Sequence, residues 1–158
     1  MKRFLQFLFG AFKRQPPSPE HFSEAWLLES IFAGYDGQGV TLKQIIQIGD
    51  FINRAIFGLQ ELRQAALSLC KLGLIEVAKE RFYLTPEGLK ICRNLKAETQ
   101  SHWEHLKLIE KRLARLKPAR SQSFEESLAF LTPTNLQRGY AEHSKEIEGY
   151  VEQHLKKN

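Results

Sequence analysis

The sequence predicts a mainly α-helical domain that carries a two-stranded hairpin, and three observations on residues 59–88 predict it. Leu59, Leu62, Ala66 and Leu69 recur at steps of three and four, which makes one face of a helix apolar. Gly73 follows, a residue that closes a helix end in the left-handed conformation at little cost. Two β-rich runs, Leu74 to Val77 and Arg81 to Leu84, then flank the polar Ala78-Lys79-Glu80 as in a hairpin. Thr85-Pro86-Glu87 opens the next helix with a capping hydroxyl, a proline where no amide hydrogen is needed, and an acid near the positive end of the dipole.

Ahead of this block, MKRFLQFLFGAFKRQ is amphipathic at helical period: Phe4, Leu5, Phe7, Leu8, Phe9 and Phe12 fill one arc, and Lys2, Arg3, Gln6 and Lys13 the other. Such an arm suits an anionic membrane surface through Phe4–Phe12, or a docking face on its own domain or on a partner. Gln15-Pro16-Pro17-Ser18-Pro19 is a stiff extended linker. A first helix is expected from a cap at Ser23, burying Trp26, Leu27, Ile31 and Phe32, and the Asp36-Gly37-Gln38-Gly39 turn breaks it. Thr41 and Gln44 form a capping box for a second helix. Its stripe of Leu42, Ile45, Gly49, Ile52 and Ile56 is to be buried, with Lys43, Gln47, Asp50 and Arg54 outside and Asp50 paired to Arg54 one turn on.

After the hairpin a helix from Pro86 to about Lys96 is expected to run on into a longer one. There Trp103, Leu106, Ile109, Leu113 and Leu116 form a seam suited to another helix, until Pro118. Ser123 and Glu126 predict a capping box for a helix over Phe124–Leu131, Thr132-Pro133-Thr134-Asn135 a break, and Leu136–Leu155 a last helix with Leu136, Tyr140, Ile147, Val151 and Leu155 near one face.

The 158 residues, 42% hydrophobic, suffice for one domain with extensions: an arm and linker over 1–20, a domain over 21–96, and a helical extension over 97–158. The net charge of +5 is unevenly placed, with +3 on 1–20, −2 on 21–58, +3 on 59–96, +3 on 97–120 and −2 on 121–158. The basic segments favour polyanionic partners, nucleic acid or acidic lipid. Cys70 and Cys92 are too few for a disulfide framework and read as small core residues in a reducing compartment. No apolar run reaches the ~18 residues of a membrane span, and no cleavage site follows the first apolar stretch. A cytoplasmic protein is expected, peripheral to a membrane if the arm engages one.

The run GDFINRAIFGLQELRQAALSLCKLGLIEVAKERFYLTPEG resembles the helix-turn-helix and wing of bacterial winged-helix transcription regulators. The residues that carry the resemblance are Leu69, Leu72, Gly73, Leu74, Ile75, Glu76, Tyr83, Leu84, Thr85 and Gly88, within a similarity covering roughly residues 23–96. The helical tail is similar in character to the dimerisation helices of PadR-like regulators. The resemblance implies a winged helix-turn-helix domain with Leu59–Leu72 as recognition helix and Ala78–Arg81 as wing tip. It also implies a regulator that binds duplex DNA as a homodimer, joined here through the Trp103–Leu116 helix.

In that reading Lys79 and Arg81 touch phosphates at the wing, Lys43 and Lys71 touch them beside the groove, Arg63 lies on the flank, and Gln60, Gln64 and Ser68 meet base edges. Glu61 and Leu67, also placed outward, argue the other way, because one repels phosphate and the other is apolar. A winged-helix module that binds a protein partner, without sequence-specific DNA contact, is therefore the alternative.

Enzyme chemistry is not expected. His21, His102, His105, His143 and His154 stand in no catalytic spacing with a nucleophile or carboxylate. Glu98, His102 and His105 share a helical face, and two histidines with a carboxylate can bind zinc. The polar surroundings and the lack of a further ligand nearby in sequence leave no metal and no cofactor expected.

Overall fold

A computed structural model describes residues 20–155. The elements are α1 (Phe22–Gly34), β1 (Val40–Thr41), α2 (Leu42–Asn53), α3 (Leu59–Lys71), β2 (Ile75–Ala78), β3 (Arg81–Leu84), α4 (Pro86–Cys92), α5 (Leu95–Glu98), α6 (His102–Leu113) and α7 (Pro133–Leu155). The chain is mainly helical with one small antiparallel sheet of order β1-β3-β2, a layout compatible with a winged helix. No helix among the described residues is long and apolar enough to cross a membrane. The arm with its Phe4–Phe12 face lies outside the described residues.

The central block forms as its residues dictate. The α3 helix ends at Lys71 with Leu72 as its C-cap, and Gly73 takes a φ of 73°. The hairpin pairs Ile75 with Leu84 and Ala78 with Arg81 around a two-residue turn, Lys79-Glu80. Both turn residues have positive φ, 50° and 58°, as the twist of a tight hairpin requires, although neither is the glycine or asparagine that favours it. Thr85 accepts the Gly88 N–H at 3.0 Å and donates its hydroxyl to the carbonyls of Gly73 and Leu74. The Thr41 and Gln44 capping box also forms. In front of it Val40-Thr41, too short to show in the sequence pattern, pairs with β3 as a third strand.

Several expectations are corrected. Ser23 does not cap α1: the N-cap is His21, and the Ser23 hydroxyl donates to Glu61 Oε1 at 2.6 Å. Glu61 is therefore not an outward acid but a half-buried link between α1 and the start of α3, where it also accepts the Gly58 N–H at 3.3 Å. Arg54 is the left-handed cap of α2, and Asp50 bonds His143 at 3.1 Å instead of Arg54. Ile56, expected in the α2 stripe, is 42% exposed.

The helix from Pro86 does not run on. Arg93 leaves helical geometry and Asn94 turns left-handed, giving three pieces, α4, α5 and α6. The Arg112 guanidinium fixes the return by donating to the carbonyls of Ile91 and Arg93. Residues 124–131 form successive turns rather than a helix, because a segment this short nucleates poorly and Leu128 and Leu131 are drawn into the core from an irregular path. Thr132-Pro133 starts α7 rather than breaking the chain: Thr132 Oγ1 accepts the Asn135 N–H at 3.2 Å.

One core joins these pieces. Trp26 stacks on Phe57 with centroids 3.5 Å apart and donates its indole N–H to Gly49 O at 3.0 Å. Leu106, Ile109 and Leu113 of the α6 seam are buried in the same cluster and pack on α1, which leaves Trp103 and Leu116 exposed at its ends. The seam is thus covered from within the chain, and not by α7, which lies along α2 instead. Gly139 permits that approach, since a Cβ there would stand 2.5 Å from Ile46 Cδ1.

Candidate nucleic-acid face and a buried glutamate-histidine cluster

The residues expected to meet DNA divide into two groups. Gln60, Gln64 and Lys71 are exposed along α3, Ser68 is half-buried, and Lys79 is exposed at the hairpin tip. The others are engaged. Arg63 donates to Leu131 O at 3.3 Å and to Glu125 at 3.2 Å. Lys43 pairs with Glu146 of α7, which Gln47 also reaches. That contact raises the Lys43 pKa and lowers that of Glu146. Arg81 donates to Gly39 O at 3.1 Å and so braces β1 against β3.

Arg63, Leu67 and Lys71 lie one turn apart on one stripe of α3. At its start Arg63 is held by Glu125 and Leu131, and at its end the amides of Ala119 and Arg120 donate to Lys71 O at 2.9 and 3.0 Å. Leu67 between them is half-buried against the core. The same segment reaches the hairpin: Phe130 meets Phe82 edge-on at 5.7 Å, and Arg120 pairs with Glu76 at 3.3 Å. Residues 119–132 therefore lie across α3 and the hairpin. Where the hairpin tip, the start of α2 and α7 converge, a cleft of roughly 380 Å³ remains, lined by Lys43, Lys79, Arg81 and Arg138 opposite Glu80 and Glu142.

These contacts are not legible in the sequence, where 124–131 reads as an independent helix, because they join residues more than 40 positions apart.

The second arrangement sits between α1 and α6. Glu29, 2% exposed, places Oε1 2.7 Å from His102 Nδ1 and 2.8 Å from His105 Nδ1. His105 Nε2 lies 2.9 Å from Thr99 O, and Glu29 Oε2 is buried with no hydrogen-bond partner among the described residues. The carboxylate beside the histidine pair is thus Glu29 and not Glu98, which Arg112 holds at 2.5 Å. Nothing local in the sequence joins positions 73 and 76 residues apart. Phe51, 67% exposed, meets His102 edge-on at 5.7 Å, and Trp103, 52% exposed, packs beside Phe22 at 5.9 Å.

Comparison with protein-family models, curated proteins and solved structures finds no match to this chain.

Proposed function

We propose that this chain is a winged-helix interaction module that binds a protein partner and does not read DNA in the conformation described. The observation that carries the reading is the cover over α3 and the hairpin. A recognition helix must enter a groove with its outer stripe free, and phosphate contacts need cations that are not neutralised. Here residues 119–132 are bound to α3 at the Arg63 side chain and at the backbone carbonyl of Lys71, and Glu125 and Glu146 neutralise Arg63 and Lys43. The aromatic pair Phe51 and Trp103 offers apolar contact area of the kind that anchors protein interfaces.

A DNA-binding regulator is the second reading. Gln60, Gln64, Lys71 and Lys79 support it, because they stay exposed on the side a duplex would approach. Selection of genomic fragments by the full chain, followed by salt titration, separates the two. The module reading expects no enriched duplex and random-DNA affinity indifferent to Lys79→Ala with Arg81→Ala. An enriched duplex whose salt slope falls by ~0.9 for each phosphate contact removed overturns it.

A further inference from the structure

We propose that Glu29, His102 and His105 form a binding site for a divalent first-row transition-metal ion of the zinc type, with three protein ligands and one open position. The reasoning starts from which atoms carry protons. A carbonyl oxygen only accepts, so in the 2.9 Å contact with Thr99 O it is His105 Nε2 that donates. A neutral His105 then turns the lone pair of Nδ1 toward Glu29 Oε1, 2.8 Å away, and His102 Nδ1 faces the same oxygen at 2.7 Å. At His105 two electron pairs then face each other, and they repel unless a proton or a metal ion stands between them.

Protons on both rings would satisfy Oε1 alone and leave Oε2 buried without a partner among the described residues. Among the described residues no lysine or arginine pairs with this carboxylate, and Arg112 of the same helix is spent on Ile91 O, Arg93 O and Glu98. A divalent ion held by one carboxylate oxygen and both imidazoles neutralises the carboxylate as a whole. The Thr99 carbonyl already supplies the outer hydrogen bond that metal-bound histidines make, which fixes the tautomer with Nδ1 free to ligate. Two imidazoles and a carboxylate are the donor set that zinc takes when it keeps a fourth position for water.

The spacing fits with one adjustment. The donor atoms all lie within 4.8 Å of one another. Bonds of about 2.0–2.1 Å in tetrahedral geometry put donors roughly 3.3 Å apart, so the rings must draw back from Glu29 by about half an ångström. His102 has that freedom, because it is half-exposed in the first turn of α6. The same exposure gives the ion its entry and leaves the fourth position facing solvent. A bound ion would join α1 to α6 through side chains, holding the extension onto the domain.

The full chain, stripped with chelator and dialysed, is titrated with Zn²⁺ and separately with Co²⁺. Expected are one ion per chain, visible Co²⁺ absorption of a tetrahedral N/O site, and a melting temperature that rises with free metal. His102→Ala, at a half-exposed position, should keep the metal-free melting temperature within a few degrees yet weaken binding by about 10-fold or more. His143→Ala, outside the cluster, should bind like the parent. No ion retained at micromolar free metal, or parent-like affinity in His102→Ala, would overturn the proposal. Glu29→Gln supplies a second check through the Co²⁺ spectrum if the variant folds.

Discussion

Replacing Gly88 by alanine tests whether α4 is seated against the end of the hairpin through a backbone contact. A Cβ on Gly88 would lie 2.0 Å from Leu74 O, a distance at which the helix or the strand must shift by about 1 Å. That shift acts on the Thr85 lock, in which the amide donates to Leu74 O at 3.1 Å and the hydroxyl is shared between Gly73 O at 2.7 Å and Leu74 O at 3.0 Å. Releasing two buried donors costs about 1–3 kcal/mol, and absorbing the clash as strain costs a similar amount. Alanine in a helix returns about 0.5–1 kcal/mol.

The net expectation is a loss of about 2 kcal/mol, seen as a melting temperature about 4–8 °C lower by far-UV circular dichroism. Gly149→Ala is the control, since nothing among the described residues lies within 4 Å of its Cβ position, and it should hold or slightly raise stability. Thr85→Val should cost a similar amount, and the double variant less than the sum, because both changes act on the same bonds. A Gly88→Ala protein as stable as the Gly149→Ala protein would refute the reasoning.

Two further outcomes follow from buried polar groups. Tyr140 donates its hydroxyl to Phe57 O at 3.1 Å, and burial holds its pKa well above the usual tyrosine range, so Tyr140→Phe orphans that carbonyl. A loss of about 0.5–1.5 kcal/mol is expected, with faster amide exchange over residues 136–150 as α7 loosens, and unchanged exchange would count against the docking. The thiols set a pH dependence: burial pushes Cys70 up to about 11 and Cys92 up to about 12, from an ordinary value of 9.0. Between about pH 9 and 11 the unfolded chain sheds protons that the native one keeps, so the stability each thiol contributes is whole below that window. It falls by about 1.4 kcal/mol per pH unit inside it. Urea unfolding should show this decline flattened in Cys92→Ala.

The local framework is legible in the sequence wherever one short stretch holds all the interacting parts. The Thr41-Gln44 box, the Gly73 stop, the hairpin and the Thr85-Pro86 start each depend on neighbours within about ten positions, and each stands where periodicity and capping chemistry place it. Tertiary packing decided what an apolar or charged residue meets. Leu106, Ile109 and Leu113 read as a seam awaiting a partner, because amphipathicity says that a face must be covered and not by what; α1 covers it. Arg63 and Lys43 read as free cations until Glu125 and Glu146 arrived from more than 60 residues away. The glutamate beside His102 and His105 was chosen in the same way. Glu98 stands on the right helical face by spacing, yet the break at Arg93-Asn94 gives it to Arg112, while packing of α1 on α6 brings in Glu29. Periodicity is a property of a single helix, whereas the identity of its neighbour depends on where the intervening chain turns.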